Sequence, residues 1–247
     1  MKTLAIIPAR FASTRFPGKP LVEIQGKSMV QRVYEQASKA SLVAAAVVAT
    51  DDTRIFEHVL QFGGQAMMTD PSHASGTDRC AEVAAHYPDT DYFVNVQGDE
   101  PFIQPEQIDL ALEPLLRKNQ NFSISTLAKA ITHGEDIWNP NVVKVVFGHK
   151  GQALYFSRSA IPHIRGVEQV QWLQQAVFYK HIGLYAFTRQ ALLEVSQLEK
   201  GRYEQAESLE QLRWLEQGYA IHVGITALET IGIDTPEDLS RLDTLNF

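Results

Sequence analysis

A chain of 247 residues is long enough for one large or two small domains. Its 45% hydrophobic content and mean hydropathy of −0.16 exclude a disordered polymer, and its formal net charge of −7 excludes the broad basic face of a general nucleic-acid binder. The single cysteine, Cys80, rules out an intrachain disulfide and suits a reducing cytoplasm; no uncharged run approaches the ~18 residues of a membrane span, and Lys2 with its short apolar run is no signal peptide.

Residues 4–7, LAII, read as a buried strand that Pro8 is expected to stop. The loop beyond carries Arg10, Arg15 and Lys19 and no acid. Ligands of open α/β sheets sit beyond the carboxyl ends of the strands, and a cationic loop there suits a polyphosphate. A solvated basic loop is the alternative.

Ser28 is placed to cap a helix whose apolar positions Met29, Val30, Val33, Ala37 and Ala40 recur at three and four. Residues 44–50 form a second apolar strand. Phe56, Val59 and Leu60 suggest a helix closed by Gly63-Gly64. A short strand at 65–69 precedes the polar turn HASGTDR at 73–79, which opens a helix with Cys80, Val83, Ala84 and Tyr87 on one side. Residues 92–97 form another strand, followed by GDEP at 98–101, and Pro105 opens a helix at its first position. This rhythm specifies a doubly wound, mostly parallel α/β sheet.

After Phe122 the pattern changes. Residues 124–128, 142–147, 153–158 and 182–187 read as strands without a full helix between each pair, so mixed or antiparallel pairing is expected there as a smaller extension. Residues 204–217 read as one strong helix, with Leu209, Leu212 and Leu215 inward and Gly218 as its stop. Residues 219–225 form a strand, and Thr235-Pro236 opens a last helix. No repeat or linker interrupts the chain, so a single domain is expected over residues 1–247.

Familiar motifs are absent or incomplete. Gly26-Lys27-Ser28 resembles the tail of a P-loop, but Leu21 stands where its first glycine belongs. There is no G-x-G-x-x-G, no H-E-x-x-H and no zinc spacing, and Ser157 and Ser159 lack a nucleophile elbow. Two carboxylates stand out instead. Asp99 follows a buried strand through Gly98, and Asp234 stands just before a helix. Side by side at 4 Å they would repel by roughly 4 kcal/mol at an effective dielectric near 20, a cost that Mg²⁺ removes. Taken singly, Asp99 is also a turn former and Asp234 a helix cap.

The segments ARFASTRFPGKPL, SGTDR, VNVQGDEP, NPNVVKVV, ALYFSR, KHIGLYAF, ESLEQLRWLEQG and GIDTPEDL, in this order, resemble the 3-deoxy-manno-octulosonate (Kdo) cytidylyltransferases, or CMP-Kdo synthetases. The likeness spans essentially the whole chain. It implies a nucleotide-diphospho-sugar transferase-like fold with a nucleotide-binding half at 1–122, a sugar-binding and dimer-contact half at 123–230, and a metal ligand with the C-terminal helix at 231–247. It implies CMP transfer from CTP to the anomeric hydroxyl of Kdo, Mg²⁺, a homodimer, and cytoplasmic assembly of the lipopolysaccharide inner core.

By the same resemblance, Ala9, Arg10, Arg15 and Lys19 hold the triphosphate, and Ser75, Gly76, Thr77 and Arg79 flank cytosine. Gln97 reaches base or sugar, and Asp99 and Asp234 bind magnesium. The sugar carboxylate calls for an arginine, and Arg158 at the end of a strand meets that need by bidentate pairing. His181 and Tyr185, four apart on a strand and so on one face, join Glu210 and Gln211 as sugar-hydroxyl contacts. For Thr77 a helix-capping role, and for His181 a structural one, stand as alternatives. Two departures from the family pattern are Ser28, where Pro is common, and the segment 163–178 with Trp172 beside the sugar pocket. The latter leaves open 8-amino-Kdo as the sugar, and a cytidylyltransferase for another acid sugar, such as a sialic acid, is the nearest rival enzyme. A non-catalytic nucleotide-binding module is the rival of another class.

Overall fold

The computed structural model describes residues 1–12, 16–117, 122–230, 232–233 and 235–242. In chain order the elements are β1 (Thr3–Ala9), β2 (Glu23–Ile24), β3 (Lys27–Ser28), α1 (Met29–Ala37), β4 (Ala45–Thr50), α2 (Thr53–Gln61), β5 (Ala66–Met68), α3 (Gly76–His86), β6 (Tyr92–Asn95) and α4 (Pro105–Leu116). There follow β7 (Ile124–Ala130), α5 (Gly134–Trp138), β8 (Lys144–Phe147), β9 (Ala153–Ser157), α6 (Trp172–Gln175), β10 (Tyr179–Thr188), α7 (Arg189–Val195), α8 (Arg202–Glu207), α9 (Gln211–Glu216), β11 (Ile221–Ile225) and α10 (Pro236–Leu242).

The main sheet has the order β11-β7-β10-β6-β1-β4-β5, with the β8–β9 hairpin joined to β10. β1 pairs in parallel with β4 and β6, and β4 in parallel with β5. β10 runs antiparallel to both β6 and β7, while β11 is parallel to β7. The sheet is therefore mostly parallel with an antiparallel extension, as the change of rhythm after Phe122 implies. Strand alternation sorts β1 between two cores. Leu4 and Ile6 pack with Cys80, Val83, Leu192, Leu212 and Trp214, whereas Ala5, Ile7 and Ala9 pack with Val30, Val33, Ile55, Val59 and Leu112. Helices thus cover both faces, and the loops after β1, β4 and β6 emerge at one edge.

Pro8 does not end β1: Pro8 and Ala9 remain in register with Ala49 and Thr50. The reason is directional. The Ile6 carbonyl accepts from Val96, so even-numbered residues of β1 face β6, whose pairing with β1 ends at Asn95. The N–H that Pro8 lacks is the next one due to β6, so the β1–β6 ladder ends there, while the odd-numbered residues that face β4 keep that pairing intact.

The helix expected over 204–217 is two. Ser208, at φ 52°, turns the chain between α8 and α9. Leu209 and Leu212 are nonetheless buried as the spacing predicts, and Gly218, at φ 87°, ends α9. β10 is also longer than expected, and its register shifts between Ile182 and Tyr185. Residues 131–178 carry a satellite core of Ile131, Ile137, Trp172 and Phe178, in which Trp172 stacks on Phe178 at 5.7 Å.

Candidate active site

The loop after β1 is closed by a 2.9 Å bond from the Gly18 amide to the Phe11 carbonyl. Gly18 has φ 73°, and a Cβ there would lie 3.2 Å from the Phe11 ring, so a larger residue is disfavoured twice. Arg10 Nη2 donates to the His73 carbonyl at 2.7 Å, tying this loop to the turn before α3. Lys19 Nζ reaches Asp99 Oδ2 at 2.8 Å, tying it to the turn after β6. Arg15 lies outside the described residues.

Asp99 occupies that turn because Gly98 lets the backbone close on β1. A Cβ at Gly98 would meet the Pro8 carbonyl at 2.6 Å. The Ile233 amide donates to the Asp99 carbonyl at 2.9 Å, so the chain just before the last helix reaches this turn. Asp234 itself lies outside the described residues. Thr235 caps α10 reciprocally with Asp238, whose amide donates to Thr235 Oγ1 at 3.3 Å while its carboxylate accepts from the Thr235 amide at 3.0 Å.

Two carboxyl groups, Asp99 and Glu100, stand side by side at this turn. Burial, with the adjacent Asp99 carboxylate, pushes Glu100 up to about 8, against the pull of Lys180. Among the described residues no three His, Cys, Asp or Glu side chains converge as a metal cage. Mg²⁺ needs only one or two protein carboxylates when phosphates complete its shell. A hard oxygen donor such as Asp99, with a second carboxyl group beside it at Glu100, fits that cation.

The turn before α3 carries a second set. Ser75, not Thr77, caps the helix: its Oγ accepts from the Asp78 amide at 3.1 Å, and Asp78 accepts in return from the Ser75 amide at 3.0 Å. Ser75 Oγ and Thr77 Oγ1 donate to the two oxygens of Glu210 at 3.1 and 2.9 Å. The expected base turn and one expected sugar residue are therefore a single hydrogen-bonded unit. Burial raises the Glu210 pKa, and the bonds from Thr77 and Ser75, with Arg213, offset part of that rise. A cavity of about 630 Å³ opens beside Ser75, Glu210 and Arg213. Arg79, fully buried, points elsewhere: its guanidinium binds Asp51 at 2.9 Å and contacts Thr69 Oγ1, which bolts α3 to the ends of β4 and β5.

His181 and Tyr185 do share a face, with ring centroids 5.3 Å apart. The irregularity in β10 preserves this because Ile182 pairs with Leu127 and Tyr185 with Thr126: two residues, Gly183 and Leu184, are inserted, and an even number leaves the alternation in phase. A Cβ on Gly183 would lie 3.7 Å from Gln97, so Gln97 sits over the insertion. Burial lowers His181 to about 3, so its ring is neutral. Gln211 is buried at the start of α9.

Arg158 is held by the protein itself. Its Nε, Nη1 and Nη2 donate to the carbonyls of Glu207, Pro140 and Ser208 at 2.6, 3.0 and 3.3 Å. The break at Ser208 frees two of those carbonyls, which an unbroken helix would have paired with amides four residues on. Three of five N–H groups are so engaged, leaving two for a ligand. Beneath it lies Lys144, a residue the sequence reading passed over, fully buried with Nζ donating to the carbonyls of Asn139, Val142 and Arg158 at 2.9, 2.6 and 2.7 Å. Its one sequence signal is a lysine in an otherwise apolar strand.

This chain matches the cytidylyltransferase family over residues 4–229. It is 53% identical to the 3-deoxy-manno-octulosonate cytidylyltransferase of Parabacteroides distasonis over 98% of this chain and 96% of that one, and 51% identical to that of Cytophaga hutchinsonii over 97% and 95%. Among solved structures, a CMP:2-keto-3-deoxy-manno-octonic acid synthetase complexed with CTP superposes with a TM-score of 0.90 at 43% identity, covering 99% of this chain and 98% of that one. A cytidylyltransferase from Leptospira borgpetersenii, 17% identical with a TM-score of 0.63 over 99% and 86% of the two chains, shares the fold. The chain belongs to the 3-deoxy-manno-octulosonate cytidylyltransferase family.

Proposed function

We propose that this protein transfers CMP from CTP to the anomeric C2 hydroxyl of Kdo, releasing pyrophosphate, and so supplies CMP-Kdo for the lipopolysaccharide inner core. The observation that carries this is the near-complete superposition on a 43%-identical synthetase complexed with CTP. In the reaction the C2 oxygen attacks the α-phosphorus in line. The Pα–O bond to the β-phosphate breaks, the hydroxyl proton leaves, and no covalent enzyme intermediate forms.

In this reading Ala9, Arg10, Arg15 and Lys19 hold the triphosphate and stabilise the charge that grows on the α-phosphate and on leaving pyrophosphate. Ser75, Gly76, Thr77 and Gln97 line the base, and Arg79 supports them from beneath. Arg158 takes the sugar carboxylate, and His181, Tyr185, Glu210 and Gln211 take its hydroxyls. Asp99 and Asp234 hold Mg²⁺, which when bound neutralises the phosphates and lowers the pKa of the attacking hydroxyl. The enzyme acts in the cytoplasm as a homodimer, which light scattering on the purified chain tests directly.

Incubation with CTP and Mg²⁺ tests the reaction, with pyrophosphate assayed after addition of Kdo, 8-amino-Kdo or a sialic acid in turn. Release with Kdo above the others is expected. CTP binding without release on any sugar rejects the enzyme in favour of a nucleotide-binding module.

A further inference from the structure

Thr126 lies on β7, fully buried, opposite the two-residue insertion in β10. Three groups converge on its hydroxyl: His181 Nε2 at 2.9 Å, the Leu184 carbonyl at 2.8 Å and the Ile182 carbonyl at 3.1 Å. A hydroxyl has one proton and two lone pairs, and a carbonyl can only accept. If Oγ1 donated to His181, two carbonyl oxygens would face its lone pairs at hydrogen-bond distance. If Oγ1 donates to a carbonyl, its free lone pair needs a donor, and His181 Nε2–H is the one at hand. The second arrangement pairs the hydroxyl proton with a carbonyl, the nearer being Leu184, and leaves fewer acceptors facing one another than the first.

The ring is neutral, as its burial requires, so a proton on Nε2 leaves Nδ1 bare. Among the described residues no group hydrogen-bonds Nδ1. The ring is held edge-on against Phe156 at 5.0 Å and tilted against Tyr185 at 5.3 Å, so its orientation is set by packing as well as by Thr126.

We propose that Thr126 is a positioning residue: its hydroxyl donates to a bulge carbonyl and accepts from His181 Nε2–H, which fixes the tautomer in which His181 Nδ1 accepts from a hydroxyl of the bound sugar. The first half stands on the geometry of the free protein, and the second rests on the reading of His181 as a sugar contact. The cluster thus couples the bulge, which seats Gln97 over Gly183, to a specificity for a donor hydroxyl at one sugar position.

The test is nitrogen NMR of the full chain labelled on histidine, without ligand, for wild type, Thr126→Ser and Thr126→Val. Wild type and Thr126→Ser are expected to carry the proton on Nε2 of His181. Thr126→Val, which keeps the shape and removes the hydroxyl, is expected to lose that preference. Its KM for Kdo should rise about tenfold, the worth of one hydrogen bond, with KM for CTP within about twofold and recovery in Thr126→Ser. A proton on Nδ1 in wild type overturns the positioning role even if the valine variant fails to fold, as does an unchanged Nε2 tautomer in that variant. A lost tautomer with unchanged KM for Kdo overturns the assignment of Nδ1 to the sugar. Neither result touches CMP transfer itself, which the pyrophosphate assay on wild type decides.

Discussion

Lys19 Nζ stands 2.8 Å from Asp99 Oδ2, joining the cationic loop after β1 to the carboxylate turn after β6. The two side chains are 14% and 32% exposed, so the pair is partly screened and contributes about 1 kcal/mol or less to stability. Its chemical value is placement: a cation and an anion held together where phosphates and Mg²⁺ would arrive. Asp99→Asn is expected to abolish turnover while the melting temperature stays near wild type, and Lys19→Ala to cost ~10²-fold in kcat, as loss of a positioned donor does. Steady-state pyrophosphate release with parallel thermal melts checks both. Near-normal activity in Asp99→Asn rejects the metal role.

The sheet was legible wherever local pattern decides. The apolar runs of β1, β4 and β6, the Ser28 cap that accepts from Gln31, and Pro105 opening α4 all follow from spacing and capping chemistry. What was not legible depends on partners distant in sequence. Pro8 stays in β1 because its missing N–H faces β6 and leaves the pairing with β4 whole, which no window around Pro8 reveals. Leu209, Leu212 and Leu215 all follow Ser208, so their spacing says nothing of the break there. It is explained by Arg158, some fifty residues away, which takes the carbonyls of Glu207 and Ser208. Ser75 and Glu210 were both named as site residues, but only the fold shows that they touch. Asp234 and Arg15 lie outside the described residues, so their part in the site stays an expectation.

Arg158 therefore has a structural job beside the one proposed for it, and its variants should separate them. Removing the guanidinium leaves three carbonyls without their donor, two of them within reach of water, and Arg158→Ala is expected to cost about 1 kcal/mol of stability by urea denaturation as well as raising KM for Kdo. Lysine supplies charge but no planar fork, so Arg158→Lys should recover little of either. An alanine variant with wild-type stability and raised KM would show that the carbonyl contacts contribute nothing to the fold.

His181 gives the molecule an acid-sensitive term. Burial holds its folded-state pKa at about 3, against about 6.5 in the unfolded chain. Between those values the unfolded state binds a proton that the folded state refuses, so stability falls as pH drops from about 6.5 towards 3, by at most ~1.4 kcal/mol per pH unit. His181→Gln removes the titration. Its stability measured against pH in this window should be flatter than that of wild type, and parallel curves would mean that the histidine titrates normally in the fold.

Gly98 is the hinge on which the carboxylate turn closes. The nearest atom to a Cβ there is a backbone oxygen, Pro8 O at 2.6 Å, and Pro8 is held by β1 in register with Ala49. Neither partner is a flexible side chain that could swing aside, so Gly98→Ala must displace the 97–99 backbone. That moves Asp99 away from Lys19 and Gln97 away from Gly183 together. The expected result is a loss of at least about tenfold in kcat/KM for both CTP and Kdo, since small misplacements of reacting groups are costly. Stability should fall as well, by about 1–3 kcal/mol for overpacking. Both substrates must be affected if the turn serves both, as proposed. A defect confined to one of them would mean that the turn yields locally and that Asp99 and Gln97 are not positioned by the same backbone.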